Sequence, residues 1–476
     1  MVLNEQFSRV LRGVRRWRGS SDDQAIPVHP DLPDADWRHL SAEIDASVAT
    51  KGGPVAARRR ARTIGLTYES LSQDGRLRFL DKLAAHYGHN DAEVDRAMDA
   101  VFRANGPEDR RAAETELRAK LQPRRELLLR RLASQEGGLP FLISLRADLL
   151  RYRKLEDHKD SAELSALDGE LRQILTEWFD VGMLRLEQLT WDTPAAFLEK
   201  LIEYEAVHAI ESWDDLKHRL GPGRRCYAFV HPVMPDDPLI FVEVALTKDI
   251  ARGLEPLLAA DSNPSEDPAF DEADFDTAIF YSISNCQRGL AGVSLGDFLI
   301  KSVAEKLGSE LPGIKSFATL SPIPGFRGWL RDGLDTGSLD DGTLSQLRTD
   351  DGQAPTTDQL SALVDGAVRH DGDPELERHK PVLLHLVARY LLSERRGARA
   401  ADPVAHFHLS NGARVEFVNW LANPNPVGWD RGLGMMVNYR YELKHIEHNH
   451  DSYVSDGVVA ASDKVKQLLE LPKISG

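Results

Sequence analysis

In TAIFYSISNCQRGLAGVSLGDFLIKSVAEKLGSELPGIKSFATL (277–320) three patterns follow one another. TAIFYSIS (277–284) is strongly apolar and β-branched or aromatic, as a buried strand is. NCQRGLAGVSLG (285–296) is a glycine-rich turn. Leu295, Phe298, Leu299, Val303 and Leu307 then share one helical face, Gly308 closes the helix, and SFATL (316–320) is a second short strand. Strand, turn, helix and strand make a βαβ unit with parallel strands and a right-handed crossover. Ligands collect where such strands end and the helix begins. Gly289, Gly292 and Gly296 let backbone approach a ligand, the free N–H groups of the helix start suit a phosphate, and Arg288 adds a charge. The same glycine spacing also fits a turn that holds nothing. Just past the second strand, Ser321 opens Ser321-Pro322-Ile323-Pro324-Gly325-Phe326, a loop that two prolines stiffen. It is expected to be exposed at the ligand end of the sheet, or else to cap a tight turn.

Downstream, residues 331–376 are rich in Asp, Gly, Ser and Thr and predict a loop insertion with weak helices. A helix is expected over 380–394. VAHFHLSNGARVEFVNW (404–420) alternates around Asn411-Gly412, which predicts a hairpin with His406 and His408 on one face and Phe407 opposite. Upstream, CYAFVHPVM (226–234) and PLIFVEVALT (238–247) predict a hairpin turning at Pro235-Asp236-Asp237, followed by an acidic surface loop over 255–276. Residues 1–186 keep the helical period instead. In 160–179 the positions Leu164, Leu167, Leu171, Ile174 and Trp178 form one stripe, and Asp160 with Glu163 suggests a capping box. Pro123 and Pro140 sit where helices start and Gly137-Gly138 where one stops; Leu142, Leu145, Leu149 and Tyr152 make another stripe. Two domains follow: a helical bundle over 1–186, holding no convergent polar group, and a sheet domain over 187–476.

The chain has 476 residues, 42% hydrophobic and 28% charged, which fits a globular protein with ample core. Residues 1–200 carry 32 basic against 33 acidic side chains, whereas residues 201–476 carry 27 against 42. So acidic a sheet domain argues against nucleic acid as a partner. No apolar run is long enough for a membrane span. Only Cys226 and Cys286 are present, which fits a reducing compartment and excludes a disulfide scaffold. The cytoplasm is therefore expected. EQFSRVLRGVRRWR (5–18), amphipathic and Arg-rich, reads as a first surface helix, with a mitochondrial leader as the alternative.

Two motifs need a second reading. Gly292-Val293-Ser294-Leu295-Gly296 matches the nucleophile elbow G-x-S-x-G, but a long loop separates the strand end from Ser294, so Ser294 is read as a helix cap. His445, His448 and His450, with Glu442 and Glu447, have metal-like spacing, but Asp451-Ser452 marks a polar surface turn, and no metal is assigned.

YSISNCQRGLAGVSLGDFLIKSVAEKL, the loop Thr319 to Phe326, FHLSNGA and VNYRY together resemble the malonyl-CoA decarboxylases, as do the helical first part and the CYAFVHP…PLIFVEVALT pair. The resemblance covers most of the chain and rests on the SPIPGF and FHLxNGA segments. It implies an α+β / α/β architecture: an N-terminal helical bundle for homo-oligomerisation, dimer or tetramer, then an acyl-CoA N-acyltransferase-like mixed α/β catalytic domain. It implies conversion of malonyl-CoA to acetyl-CoA and CO2. By the same match Ala291, Gly292, Val293, Ser294, Leu295, Gly296 and Asp297 hold CoA, Ser321 and His408 are catalytic, and Ser282 and Tyr441 join the site. Animal members carry an acidic residue where this chain has Ser294, so no catalytic role passes to that position. The chemistry needs no cofactor, because the thioester carbonyl accepts the electrons released with CO2. A Ser–His pair with His408 poised near neutral pH would protonate the α-carbon. An acyltransferase or thioesterase on the same fold is the alternative.

Overall fold

The computed structural model describes residues 24–205, 207–258, 271–293 and 299–470. The amphipathic start over 5–18 and Ser294, Leu295, Gly296 and Asp297 lie outside the described residues. Two compact units form. Among the described residues the first holds those up to Leu184, with 231–235 and 287–293; the second holds the rest.

The first unit is helical: α1 Asp34–Val48, α2 Gly53–Ser70, α3 Gln73–His86, α4 Asp91–Arg103, α5 Pro107–Leu121, α6 Arg124–Ala133, α7 Gly138–Tyr152 and α8 Ala162–Trp178. Leu164, Leu167, Leu171 and Ile174 of α8 are buried as their spacing requires, and Leu142, Leu145, Leu149 and Tyr152 of α7 likewise. Each such side chain contributes roughly 1.5–3 kcal/mol of burial. Ser161, not Asp160, caps α8, accepting from the Leu164 N–H at 3.2 Å. Gly137 and Gly138 open α7 rather than end α6: Gly137 takes φ 72°, and a Cβ on Gly138 would lie 1.9 Å from the Leu132 carbonyl oxygen.

Apart from residues 231–235, the second unit is built on one sheet of β1 Arg185–Leu189, β2 Arg224–His231, β3 Met234–Thr247, β4 Thr277–Asn285, β5 Ser316–Thr319, β6 Ser321–Pro322, β7 Arg414–Asn419 and β8 Met436–Tyr441. Its order is β1-β2-β3-β4-β5-β8-β6, with β7 also on β8. The expected βαβ unit is present: β4 and β5 are parallel with Phe280 opposite Thr319, joined through α9, Leu299–Glu310, which runs two residues past Gly308. Leu299, Val303 and Leu307 are buried. The β2–β3 turn falls at Pro232-Val233, so Pro235-Asp236-Asp237 lies inside β3. Residues 331–376 hold more helix than expected, with helical spans Phe326–Asp335, Asp341–Leu344 and Thr357–Asp365 and the start of α10, Pro374–Leu392.

The predicted hairpin over 404–420 is corrected. Its first half is α11, Pro403–Ser410, and only its second half is a strand, β7. The stretch Val404–Leu409 satisfies both periods, and the start signal decides between them. Pro403 takes the first helical position, and Asp402 Oδ1 accepts the Val404 and Ala405 N–H groups at 2.9 Å each. Asn411-Gly412 is accordingly a helix stop. Gly412 has φ 77°, its N–H donates to the Leu409 carbonyl, and a Cβ there would lie 2.2 Å from the Ile446 carbonyl oxygen.

Asp402 does a second job. Its Oδ2 accepts the Gly325 N–H at 3.1 Å, so one buried carboxylate joins the start of α11 to the proline-stiffened loop after Ser321. Asp402→Ala strips three N–H groups, one buried and two half-buried, of their acceptor and should cost about 2–3 kcal/mol. Urea unfolding checks this; a loss under about 0.5 kcal/mol would mean that the cap is dispensable.

Candidate functional site

Thr319 and Ser321 are two residues apart on consecutive short strands, β5 and β6, which both pair with β8. Tyr439 and Tyr441 are likewise two apart on β8, and α11 brings His408 against them. Ser321 Oγ lies 3.0 Å from His408 Nε2 and donates to Thr319 Oγ1 at 2.8 Å. His408 Nδ1 lies 2.8 Å from the Tyr441 hydroxyl. The Tyr439 ring stacks on the imidazole, centroids 4.5 Å apart at 26°, and the Tyr439 N–H donates to Thr319 Oγ1 at 3.2 Å. With the Ser321 hydroxyl donating to Thr319, the consistent tautomer has Nε2–H donating to Ser321 and Nδ1 accepting from Tyr441. Three of the residues expected at the site, Ser321, His408 and Tyr441, therefore meet in one hydrogen-bonded chain.

The chain is dry. Ser321 is 5% exposed, His408 2% and Tyr441 3%, which corrects the expectation of an exposed serine. Burial alone pushes His408 down to about 3, and it lifts Tyr439 and Tyr441 well above the usual phenol range. His408 is thus a neutral imidazole here, not one poised near pH 7; among the described residues no carboxylate stands beside it to favour the charged form. His406 is on the same helix but turned away from it, bonded to the Tyr453 hydroxyl at 2.8 Å, as two steps of a helix require.

Ser282 lies on β4 two residues beyond Phe280, as Ser321 lies two beyond Thr319. Its hydroxyl is held by Glu205, 2.8 Å from each carboxylate oxygen. Glu205 also accepts the Val207 and His208 N–H groups at 2.7 and 2.8 Å and the Ser284 hydroxyl at 3.2 Å. Sequence reasoning missed Glu205, because an acid at the end of a short helix carries no signal by itself. It also missed Thr319 and Tyr439, which the two-residue repeats Thr319/Ser321 and Tyr439/Tyr441 could have suggested.

The described part of the loop expected to hold CoA, Ala291 to Val293, belongs to the first unit. Arg288–Leu290 is a short 3-10 turn; Arg288, Ala291 and Gly292 are exposed and Val293 is buried. The glycines have separate causes. A Cβ on Gly289 would lie 1.9 Å from the Ile143 carbonyl oxygen, so Gly289 serves close packing on α7. Gly292 has φ 75°, and a Cβ there would meet only the Arg172 side chain, its Cδ at 3.8 Å, among the described residues. The helical segment does hold a convergent polar group, contrary to expectation: Arg146 of α7 donates to the Gly289 and Ala291 carbonyls at 2.7 and 2.8 Å.

Among the described residues no group of three or more His, Cys, Asp or Glu side chains could hold a metal ion, and no helix is long and apolar enough to cross a membrane. His448 and His450 sit on a helix, α12, Ile446–Asp456, rather than a turn, and His445 precedes it, bonded to Glu442 at 2.9 Å.

Comparison with known proteins shows the family. A family model described as the malonyl-CoA decarboxylase C-terminal domain matches residues 182–475, and one described as the N-terminal domain matches residues 87–179. The chain is 35% identical over 482 residues to the mitochondrial malonyl-CoA decarboxylase of Anser anser anser, spanning 98% of this chain and 94% of that protein. Against the mitochondrial malonyl-CoA decarboxylase of Rattus norvegicus it is 36% identical over 406 residues, 83% of this chain and 82% of that one. The crystal structure of malonyl-CoA decarboxylase from Rhodopseudomonas palustris superposes with a TM-score of 0.80 at 39% identity, covering 90% of this chain and 99% of that one. That from Agrobacterium vitis gives 0.79 at 37% identity, covering 91% and 100%. With one family matched along most of its length, in sequence and in fold alike, this chain belongs to the malonyl-CoA decarboxylases, a family of carboxy-lyases.

Proposed function

We propose that the chain converts malonyl-CoA to acetyl-CoA and CO2 without a cofactor, with Ser321 and His408 managing the proton. The observation that carries the reading is the buried chain Tyr441–His408–Ser321. When the C–C bond to the carboxylate breaks, its electron pair enters the thioester carbonyl as an enolate, which one proton on the α-carbon then quenches. A neutral imidazole cannot supply that proton without leaving an anion. The substrate removes the difficulty, because its carboxylate brings negative charge into the dry site and so favours imidazolium. The proton arrives with the substrate, stays on His408 while CO2 leaves, and passes to the α-carbon directly or through Ser321. Tyr441 holds the ring orientation. The charge pair exists only while substrate is bound, where low dielectric strengthens it.

Binding of CoA is assigned to the loop from Ala291 to Asp297, with Arg288 as a candidate cation. Ser282, whose hydroxyl Glu205 holds, is assigned to the substrate-binding residues of the second unit. The same reading takes the helical bundle as the homo-oligomerisation part, the second unit as acyl-CoA N-acyltransferase-like, and the cytoplasm as the compartment. Cys226 and Cys286, both buried and in no disulfide, support a reducing location.

Incubation with malonyl-CoA and mass analysis of products is the primary test. Acetyl-CoA with CO2 is expected; free CoA with malonate would identify a thioesterase instead. Ser321→Ala and His408→Asn should each lower kcat by roughly 10²–10⁴-fold while the fold survives. Near-normal turnover in His408→Asn would remove it from the mechanism.

Stability should also depend on His408. Its folded pKa, about 3, lies below the ordinary 6.5, so its contribution is fully present above pH 6.5. It is lost as pH falls through the window from 6.5 to about 3, where only the unfolded chain takes up the proton. His408→Asn should make the acid-side slope of unfolding free energy shallower by up to about 1.4 kcal/mol per pH unit. Parallel slopes for the two proteins would mean that the imidazole is already charged. Gly292→Val should weaken CoA binding roughly tenfold, since a branched residue is strained at positive φ and fills the space over the backbone. Titration calorimetry on the folded variant decides it, with unchanged affinity as the contrary result.

A further inference from the structure

We infer that Arg146, in the helical unit, is a positioning residue for the CoA diphosphate, acting through the loop 287–293 and never touching the ligand. This rests on the reading that the loop binds CoA.

Arg146 is 2% exposed, and its guanidinium is engaged through Nε and Nη1. Nε donates to Asp168 Oδ1 at 2.8 Å, and Nη1 donates to the carbonyl oxygens of Gly289 and Ala291 at 2.7 and 2.8 Å. Asp168 is held from its other oxygen by Arg153 at 2.8 Å, and Arg153 reaches Ser165 at 2.9 Å. The carboxylate is therefore anchored twice, and the guanidinium plane is set by α8 before the loop meets it. A buried charge with this many partners is expensive to assemble and is retained where geometry matters.

The consequence follows from peptide planarity. In a trans peptide the carbonyl and the next N–H point in opposite directions. Capturing the Ala291 carbonyl toward Arg146 turns the Gly292 N–H toward the exposed side of the loop, where among the described residues it meets no acceptor. Gly292 at φ 75° permits this, and Gly289 lets the loop lie close enough to α7 for both carbonyls to be reached. Arg146 thus presents a backbone donor, rather than its own charge, to a phosphate oxygen. The cation beneath the two carbonyls also polarises the peptide and strengthens its N–H as a donor.

The test compares malonyl-CoA with the malonyl thioester of pantetheine, which lacks the nucleotide diphosphate, in full-length enzyme. Arg146→Met should raise KM for malonyl-CoA about tenfold or more, and the ratio of kcat/KM for the two substrates should fall by the same factor. Arg146→Lys, which keeps the charge but not the fork, should recover part of the ratio. If Arg146→Met does not fold, Arg146→Lys carries the test by a fall of its own ratio. An equal loss on both substrates, or an unchanged ratio in the folded variant, overturns the proposal. Gly292→Val in parallel separates the two failures. If it shifts the ratio while Arg146 variants do not, the loop binds CoA without help from Arg146; if neither shifts it, the diphosphate lies elsewhere.

Discussion

Burial of His408, with no carboxylate beside it among the described residues, takes away its capacity to carry charge in the resting protein, and the surroundings follow from that constraint. The groups it meets among the described residues are neutral: the Ser321 hydroxyl, the Tyr441 hydroxyl, the stacked Tyr439 ring and the Phe407 ring at a steep angle. Neutral donors and acceptors satisfy both ring nitrogens without the desolvation cost of an ion pair. In the reaction proposed above, such a site takes up a proton only once an anion enters, so that its protonation would be coupled to substrate rather than to bulk pH.

Such a site is held by backbone as much as by side chains. Asp402 serves the N-terminus of α11 and the loop after Ser321 together, so the elements carrying His408 and Ser321 share one anchor. Thr319 takes hydrogen bonds from the Ser321 hydroxyl and the Tyr439 N–H, linking β5 and β8 at the level of the site. The Glu205 carboxylate does the same for β4, holding two serine hydroxyls and two backbone N–H groups. In the first unit Arg146 plays the corresponding part for the loop 287–293, with carbonyl oxygens instead of N–H groups as its partners. Asp402 and Arg146 are buried charges surrounded by partners of fixed direction, which is the condition under which burial is tolerated.

The glycine pattern that suggested a ligand loop has, in the structure, separate causes at its two described positions. Gly289 is required by the Ile143 carbonyl and Gly292 by its positive φ. Spacing in sequence reports that backbone must come close to something; it does not say whether the neighbour is a phosphate or a helix.

Local patterning determined the helical first unit, the βαβ order of β4, α9 and β5, and the buried stripes of α7 and α8, because periodic apolar positions leave few ways to hide them. The family motifs also brought Ser321, His408 and Tyr441 to attention. What the 404–420 segment becomes was not settled by its alternation, since a short apolar run fits both periods; the Asp402 cap and the crowding of Gly412 against Ile446 decided for a helix. Tertiary structure alone decided that Ser321 is buried, that His408 is neutral and that Glu205 holds Ser282. It alone joined Arg146 to a loop 143 residues away in the chain. The reason is common to all four: burial and long-range hydrogen bonding depend on which surfaces meet, and neither composition nor spacing along the chain encodes that meeting.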